Sequence, residues 1–362
     1  MEVLKPQLIW IGNRCYRKNP LKDNQGYNPE DEELDDGAPY TDLTYCDEAC
    51  DADLEIEETD KGFRTVMSVP NAYYKYVIGK KGETKKRLES ETRTQILVPK
   101  PGEKREEIVI LGHDKKGIVS AKTRLDVIID SARQRQQFTH FLSIPVTCEQ
   151  VVTGFEDFRF EVLRQCDGDR GLDASLFQNP KKLHLTIGTM VLLNDNEIER
   201  AAVHLQSCQE ELIQPLLQGE RLEVQIRGLE YMNDDPGSVD VLYARVQEGC
   251  ACDRLQSLVD RLVDRLTSAG IMQRDHERVK LHVTVMNTLM RKDPSGTSVP
   301  QADSNGHARP RERESFDASQ ILKKFPDFDF GPLHIDSLHL SQRYSTGDNG
   351  YYAQVTAVEL PR

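Results

Sequence analysis

Tryptophan, cysteine and long apolar runs are scarce in this chain of 362 residues, which contains one Trp and eight Cys. No apolar run approaches the ~18 residues that a membrane-spanning helix needs, so we expect no transmembrane segment. The start at Met1–Pro6 lacks a basic residue cluster followed by an apolar stretch, so we expect no secretory signal. The cysteines are too sparse for a disulfide scaffold and indicate reduced thiols in a nuclear or cytosolic protein.

Positive charge is also in deficit, with 47 Lys and Arg against 60 Asp and Glu, and the charge is segmental. Residues 20–60 carry 16 acidic side chains and one lysine, which predicts an acidic, largely disordered N-terminal region over 1–61. Residues 62–140 carry 17 basic and nine acidic side chains and should attract phosphate backbones. The acidic region fits two roles, a solvated spacer or an autoinhibitory mimic that competes for the basic segment.

The basic segment has the element order β-α-α-β-β-α. Period-2 and period-3.6 apolar patterns, together with Pro and Gly breaks, set these predictions. The predicted elements are a strand at 63–69, a short helix at 73–77, a helix at 83–91, strands at 95–98 and 108–111 joined by a turn at 101–102, and a helix over 118–132.

Between the first two helices lies the sequence Gly79-Lys80-Lys81-Gly82. Two glycines three residues apart let the backbone approach a ligand where a Cβ atom would block it. The two lysines add positive charge at the same place, a combination that suits a sugar-phosphate strand.

This segment resembles the KH family, which binds short single-stranded stretches of about four nucleotides. The resemblance covers residues 62–140 and implies that the Gly79–Gly82 loop clamps the RNA backbone. Ile78 precedes the loop, and Lys85 and Lys86 either extend the phosphate track or form a solvated helix face. We expect the unstacked bases to be supported by the neighbouring strand, through Ile96 and Val98.

A second motif occurs twice, as apolar-His-apolar-Thr-apolar at 183–187 and at 281–285. In a strand the side chains alternate, so each His and its Thr point away from the core while the apolar residues point into it. A strand precedes each copy, at 141–146 and 241–246, and an amphipathic helix is expected in between. We therefore predict a duplicated β-α-β unit. The polar residues of the two motifs are His184, Thr186, His282 and Thr284.

Pseudo-twofold symmetry would place the two motifs across one cleft. One imidazole can then accept a proton while the other donates one, because both forms of histidine are accessible near pH ~6.5. Thr186 and Thr284 can donate hydrogen bonds to nonbridging phosphate oxygens in the transition state. Such a site needs no metal and no other cofactor.

Over residues 141–360 the chain resembles the two-histidine phosphoesterase superfamily, which includes RNA ligase-like cyclic phosphodiesterases and 2′,5′-oligoadenylate phosphodiesterases. The resemblance implies an α+β chain, a type I KH domain followed by a bilobal LigT-like domain. It also implies that His184 and His282 form the acid/base pair and that Thr186 and Thr284 bind the phosphate.

Other candidates are weaker. The cysteine pairs lack a second ligand pair at zinc spacing, the two histidines near the final strands indicate packing or solvent contact, and the tyrosines could pack in the core or stack a base. A stretch rich in Ser, Pro and Gly predicts a long loop over 292–313. These candidates are Cys46, Cys50, Cys250, Cys252, His334, His339, Tyr344, Tyr351 and Tyr352.

The order of acidic region, KH domain and two-histidine domain resembles one family of subunits of a nuclear transcription cointegrator complex. That resemblance implies partnership with a large helicase subunit and with proteins of alkylation-damage repair. The residues themselves favour a metal-independent phosphodiesterase that acts on an RNA phosphodiester or cyclic phosphate. A non-catalytic RNA-binding adaptor remains the alternative.

Overall fold

A computed structural model describes most of the chain, which divides into two compact units. Within 1–61 it describes the backbone of two paired strands, β1 (Gln7–Ile11) and β2 (Arg14–Lys18), and residues 55–61. The remaining acidic region, the turn at 101–102 and nearly all of the predicted loop 292–313 lie outside the described residues. The described residues are 7–11, 14–18, 55–100, 103, 106–232, 234–274, 276–291, 293 and 313–361.

The first unit contains a four-stranded antiparallel sheet and three helices, in the sheet order β3-β4-β6-β5. The predicted order β-α-α-β-β-α is confirmed, and β3 adds a strand within the region predicted to be disordered. All three β3 residues are exposed, so the sequence has no apolar alternation from which this strand could be predicted. The elements are β3 (Glu57–Thr59), β4 (Gly62–Ser68), α1 (Tyr74–Ile78), α2 (Glu83–Thr92), β5 (Thr94–Leu97), β6 (Glu107–Gly112) and α3 (Lys115–Gln134).

Helix α3 shows why this unit folds as predicted. Its N-cap residue Asp114 accepts a hydrogen bond from the Gly117 amide at 2.7 Å, which satisfies one free amide of the first turn. One helical face buries Ile118, Ala121 and Leu125 completely. Burial of each large side chain stabilises the fold by about 1.5–3 kcal/mol, so the face that packs on the sheet is fixed by this apolar pattern.

The second unit is built on one eight-stranded sheet, and each of its strand pairs is antiparallel. The order is β12-β9-β10-β11-β8-β7-β13-β14. The elements are β7 (His140–Pro145), α4 (Glu149–Gln165), β8 (His184–Met190), α5 (Asp195–Cys208), α6 (Gln214–Leu217), β9 (Glu223–Tyr231), β10 (Val241–Val246), α7 (Cys250–Ser268), β11 (His282–Asn287), α8 (Ser319–Lys324), β12 (Asp329–His334), β13 (Ser337–Gln342) and β14 (Gln354–Glu359).

The strand order confirms the predicted duplication. The two motif strands, β8 and β11, are neighbours at the centre of the sheet, and each pairs on its other side with the strand predicted to precede it, β7 or β10. Two further strands flank each half of the sheet, β9 and β12 beside β10 and β13 and β14 beside β7. Three of these four strands come from the end of the chain and not from the two repeats. The last strands, between Asp329 and Glu359, supply β12 to one edge and β13 with β14 to the other.

Two helices cover one face of this sheet with the predicted apolar stripes. In α7 the six apolar residues between Leu255 and Leu266 are all buried. In α4, Gly154 lies against the backbone of β12, where an added Cβ would overlap the Phe330 carbonyl, so this helix needs glycine for its close approach. None of the helices in the described part of the chain is long and apolar enough to cross a membrane.

Candidate active site and nucleic-acid-binding loop

The two motif strands present their polar residues on one face of the sheet. In β8, His184 and Thr186 are partly exposed while Leu185 and Ile187 are buried. The second copy, at the start of β11, shows the same alternation. The expected orientation of both His-x-Thr pairs, away from the apolar core, is therefore present.

Pairing between β8 and β11 brings the two motifs together. Val283 lies opposite Leu185 in the antiparallel register. In an antiparallel pair the residue before one partner faces the residue after the other. His184 is thus opposite Thr284, and His282 is opposite Thr186. The charge of His282 acts on the titration of His184, so the two motifs lie close enough on the sheet surface to interact.

Both imidazoles are held in the same way. His184 Nδ1 lies 2.8 Å from the Lys182 carbonyl, and His282 Nδ1 lies 2.8 Å from the Lys280 carbonyl. A carbonyl only accepts hydrogen bonds, so each Nδ1 carries the proton in the neutral ring. Each Nε2 therefore keeps its lone pair and is the atom available for proton transfer.

Aromatic rings flank both imidazoles. The centroids of Phe141 and Tyr352 lie 5.3 and 5.4 Å from that of His184. Tyr243 lies 5.1 Å from His282 in an edge-on arrangement, and its hydroxyl donates a 2.6 Å hydrogen bond to Glu230. These contacts limit rotation of both rings and fix the Nε2 positions.

The environment favours neutral imidazoles. Burial lowers the pKa of His184 to about 4; the hydrogen bond to the Lys182 carbonyl opposes this shift and the charge of His282 adds to it. Burial also lowers the pKa of His282, opposed by the Lys280 carbonyl and reinforced by the Lys280 ammonium. The expectation of ordinary titration near pH ~6.5 is therefore wrong for the ligand-free protein. A bound phosphate would raise both pKa values, because a nearby anion favours the protonated ring.

A lysine precedes each histidine by two residues, and neither lysine is among the predicted site residues. Lys182 Nζ lies 4.7 Å from the ring centroid of Tyr352, and Lys280 Nζ lies 4.6 Å from that of Tyr243. The motif is thus Lys-x-His-x-Thr in both copies. The repeat itself carried the signal, because the same residue type precedes each histidine at the same spacing.

The two lysines have different surroundings. Lys182 is buried and donates 3.0 Å hydrogen bonds to the Ser345 carbonyl and to Thr346 Oγ1. Burial lowers its pKa, and the negative charge of Asp293 opposes that shift. Lys280 is exposed. Lys182 therefore fastens the loop that carries Tyr352 beside His184, whereas Lys280 is accessible to solvent.

The remaining tyrosines and histidines near the final strands occupy structural positions. Tyr351 is buried and its hydroxyl lies 3.0 Å from Ser143 Oγ. His339 Nε2 lies 2.9 Å from Ser337 Oγ, and burial lowers its pKa. His334 forms a 3.1 Å contact with Glu223 at the sheet edge.

The other predicted stacking and metal-binding candidates do not form a cluster. Tyr344 has a left-handed backbone with a φ of 57°, its ring lies against Arg343, and its hydroxyl is 3.4 Å from Gln137 Oε1. Cys250 and Cys252 are free thiols, and Cys46 and Cys50 lie outside the described residues. Within the described ranges no three His, Cys, Asp or Glu side chains are placed to hold a metal ion.

In the first unit the predicted clamp loop has the backbone that only glycine adopts readily. Gly79 has a φ of 71°, and a Cβ there would overlap Thr84 Oγ1. Gly82, with a φ of 81°, is the N-cap of α2 and has open space at its Cβ position. Lys80 and Lys81 are exposed between them. The loop thus offers two cationic side chains next to an accessible backbone.

The residues around the loop differ in whether their side chains are exposed or are already engaged in contacts within the protein. Ile78 is 37% exposed and Lys86 is exposed. Lys85 lies 3.7 Å from Glu89, so its ammonium is already paired. Ile96 is completely buried, so the expectation that it supports bases is wrong. Val98 is half-buried, and Leu97, between the two, is 41% exposed. The register of β5 determines which of its side chains are exposed, because a shift of one residue exchanges the two faces of a strand.

Two family models match separate ranges of the chain. Residues 64–126 match the model of the KH domain, and residues 138–360 match that of the AKAP7 2′5′ RNA ligase-like domain. Human A-kinase anchor protein 7 isoform gamma is 25% identical over 154 residues, which are 42% of this chain and 41% of that protein.

Among solved structures, the first KH type I domain of human vigilin is 31% identical and aligns with 20% of this chain and 78% of its own, at a TM-score of 0.20. E. coli LigT in complex with NADP+ is 9% identical and aligns with 63% of this chain and all of its own, at a TM-score of 0.37. Mouse activating signal cointegrator 1 complex subunit 1 is 47% identical over 99% of this chain and 100% of its own. The chain therefore belongs to the activating signal cointegrator 1 complex subunit 1 family, in which a KH domain precedes a 2′5′ RNA ligase-like domain.

Proposed function

We propose that the chain is an RNA-directed phosphodiesterase that uses paired histidines and no metal ion to cleave a phosphodiester or a cyclic phosphate. The observation that supports this function is the juxtaposition of two His-x-Thr pairs through the β8–β11 register. Each imidazole there presents an unprotonated Nε2, because its Nδ1 faces a carbonyl.

The proton balance of such a reaction needs two nitrogen atoms. One Nε2, on His184, takes the proton of the attacking water or hydroxyl as the new P–O bond forms. The other, on His282, is protonated once the anionic substrate is bound and gives that proton to the leaving oxygen as the old P–O bond breaks. Thr186 and Thr284 donate hydrogen bonds to the nonbridging oxygens, where charge accumulates. Each proton transfer contributes roughly 10²- to 10⁴-fold to the rate.

The test is a screen of short RNAs with 2′,3′-cyclic, 2′,5′ or 3′,5′ linkages in the presence of EDTA. We expect a bell-shaped pH profile of turnover and its loss in His184→Ala and in His282→Ala, with far-UV circular dichroism unchanged. Activity that disappears with chelator, or survives both substitutions, contradicts the proposal.

We assign capture of the single strand to the KH domain, through Gly79–Gly82 and the exposed Lys80 and Lys81. The sharpest test is Gly82→Asp against Gly82→Asn. Both side chains tolerate the left-handed backbone and suit the N-cap of α2, and no atom blocks the Cβ position. The pair therefore differs mainly in one negative charge. Weaker RNA binding by Gly82→Asp than by Gly82→Asn supports phosphate contact at the loop, and equal binding refutes it.

We further propose that the chain is a nuclear subunit of a transcription cointegrator complex, working with a large helicase subunit and with alkylation-repair proteins. Support comes from its 47% identity to the mouse complex subunit. Purification of the tagged chain from nuclear and cytoplasmic extracts, followed by identification of the bound proteins, tests this assignment. A helicase must co-purify from the nuclear extract.

A second candidate function is that of a non-catalytic RNA-binding adaptor. The observation that favours it is the low pKa of His184, about 4, which leaves this ring neutral and poorly solvated in the free protein. An adaptor shows no turnover on any of the substrates above, and its RNA binding survives both histidine substitutions but is weakened in Gly82→Asp.

A further inference from the structure

The two halves of the pseudo-twofold site differ in how their equivalent lysines are placed. The reacting phosphate would be served equally by both halves, since each gives one imidazole and one hydroxyl. The lysines that precede the two histidines are equivalent in sequence, but only one of them is accessible to solvent.

On the side of His184 the equivalent positive charge, that of Lys182, is engaged within the fold. Lys182 is buried, donates hydrogen bonds to Ser345 and Thr346, and is electrostatically balanced by Asp293. The residue opposite His184 on the neighbouring strand is Pro145, which carries no charge.

On the side of His282 two cations lie close to the ring. Arg245 is opposite His282 in register, and it is paired with Glu230 at 3.6 Å and with Asp327 at 3.9 Å. Lys280 is exposed, and within the described part of the chain its ammonium has the Tyr243 ring as a neighbour but no carboxylate within ion-pair distance. Its charge reaches the site, because it acts on the titration of His282.

This ammonium lies over an aromatic ring. It lies 4.6 Å from the centroid of the Tyr243 ring. That ring is held by the hydrogen bond of its hydroxyl to Glu230 and by an edge-on contact with His282. A cation on a fixed ring face loses less freedom when an anion binds, and lysine is an effective point-charge ligand for phosphate.

We propose that Lys280, supported by the Tyr243 ring, binds a second phosphate of an oligonucleotide, next to the reacting phosphate and on the β10 side of the site. This inference builds on the proposed phosphodiesterase function. It implies that the preferred substrate carries at least two phosphates and that the strand continues past His282.

The kinetic test compares a nucleoside 2′,3′-cyclic monophosphate with a trinucleotide that ends in the same cyclic phosphate. Lys280→Gln should lower kcat/KM for the trinucleotide about 10- to 100-fold, mainly through KM, because one charge-assisted hydrogen bond is lost. Its effect on the monophosphate should be less than about threefold, and Lys280→Arg should keep most of the activity. Arg278→Gln is the matched control, because it removes an exposed cation two residues away whose charge acts on Cys252.

A binding experiment separates failure of this inference from failure of the catalytic proposal. Calorimetric titration of the full chain with adenosine 3′,5′-bisphosphate and with adenosine 3′-monophosphate requires no turnover. We expect Lys280→Gln to weaken the bisphosphate at least about tenfold and to leave the monophosphate unchanged. Equal losses for both ligands, or none for the bisphosphate, overturn the second-phosphate site. If no substrate is turned over but Lys280→Gln still weakens only the bisphosphate, the phosphodiesterase proposal is wrong and the second-phosphate site stands.

Discussion

We expect the same substitution to affect stability strongly at Lys182 and hardly at all at the equivalent Lys280. Lys182→Met removes an ammonium that makes two 3.0 Å hydrogen bonds inside the protein. It also leaves the buried Asp293 carboxylate without that positive charge. Loss of one partner from a buried charged pair costs about 3–5 kcal/mol. Lys280→Met removes an exposed ammonium and should change the free energy of unfolding by no more than about 0.5 kcal/mol.

The assay is chemical denaturation of both variants, with thermal melting as a second measurement. For a domain of this size about 1 kcal/mol corresponds to roughly 2–4 °C in Tm, so Lys182→Met should melt about 6–20 °C below the wild type. Lys182→Met should also loosen the loop that carries Tyr352, since Lys182 holds that loop against His184. Equal Tm values for the two variants would refute the assignment of Lys182 as an internal anchor.

Two other predictions concern stability. The folded pKa of His184, about 4, lies below its unfolded value, so the stability linked to this ring is present well above pH ~6.5 and is lost as pH falls through that value toward 4. The loss between pH 6.5 and 5 is about 1.6 kcal/mol, and His184→Gln should abolish it, as measured by urea denaturation at each pH. Gly154→Ala should destabilise by about 1–3 kcal/mol although alanine favours helices, because its Cβ overlaps the Phe330 carbonyl; Thr153→Ala, on the exposed side of α4, is the control and should melt near the wild type.

The sequence predicted those parts of the fold whose pattern is periodic. The α7 stripe and the alternation around His184 and His282 each follow from residue spacing, and the duplication followed because the same pattern occurs twice. Strand β3 could not be predicted, since its three residues are exposed and two are glutamates. The choice between Ile96 and Leu97 depended on a register that two adjacent apolar residues leave open.

At the candidate site, residue identity was predictable and environment was not. The pairing of Val283 with Leu185, which joins the two motifs, is a contact between segments almost a hundred residues apart. The low pKa of His184 depends on burial by Phe141 and Tyr352, and Tyr352 comes from a distant loop. The opposite roles of Lys182 and Lys280 likewise depend on tertiary neighbours, because both lysines have the same local sequence.

The C-terminal segment supplies the edge strands of both halves of the domain. A chain that stopped before Asp329 would retain all four residues of the two His-x-Thr motifs yet lose β12 from one end of the sheet and β13 with β14 from the other. Both β9 and β7 would then expose a row of unsatisfied backbone groups, which invites aggregation. Premature termination there should therefore eliminate the soluble protein without removing any residue that we assign to chemistry.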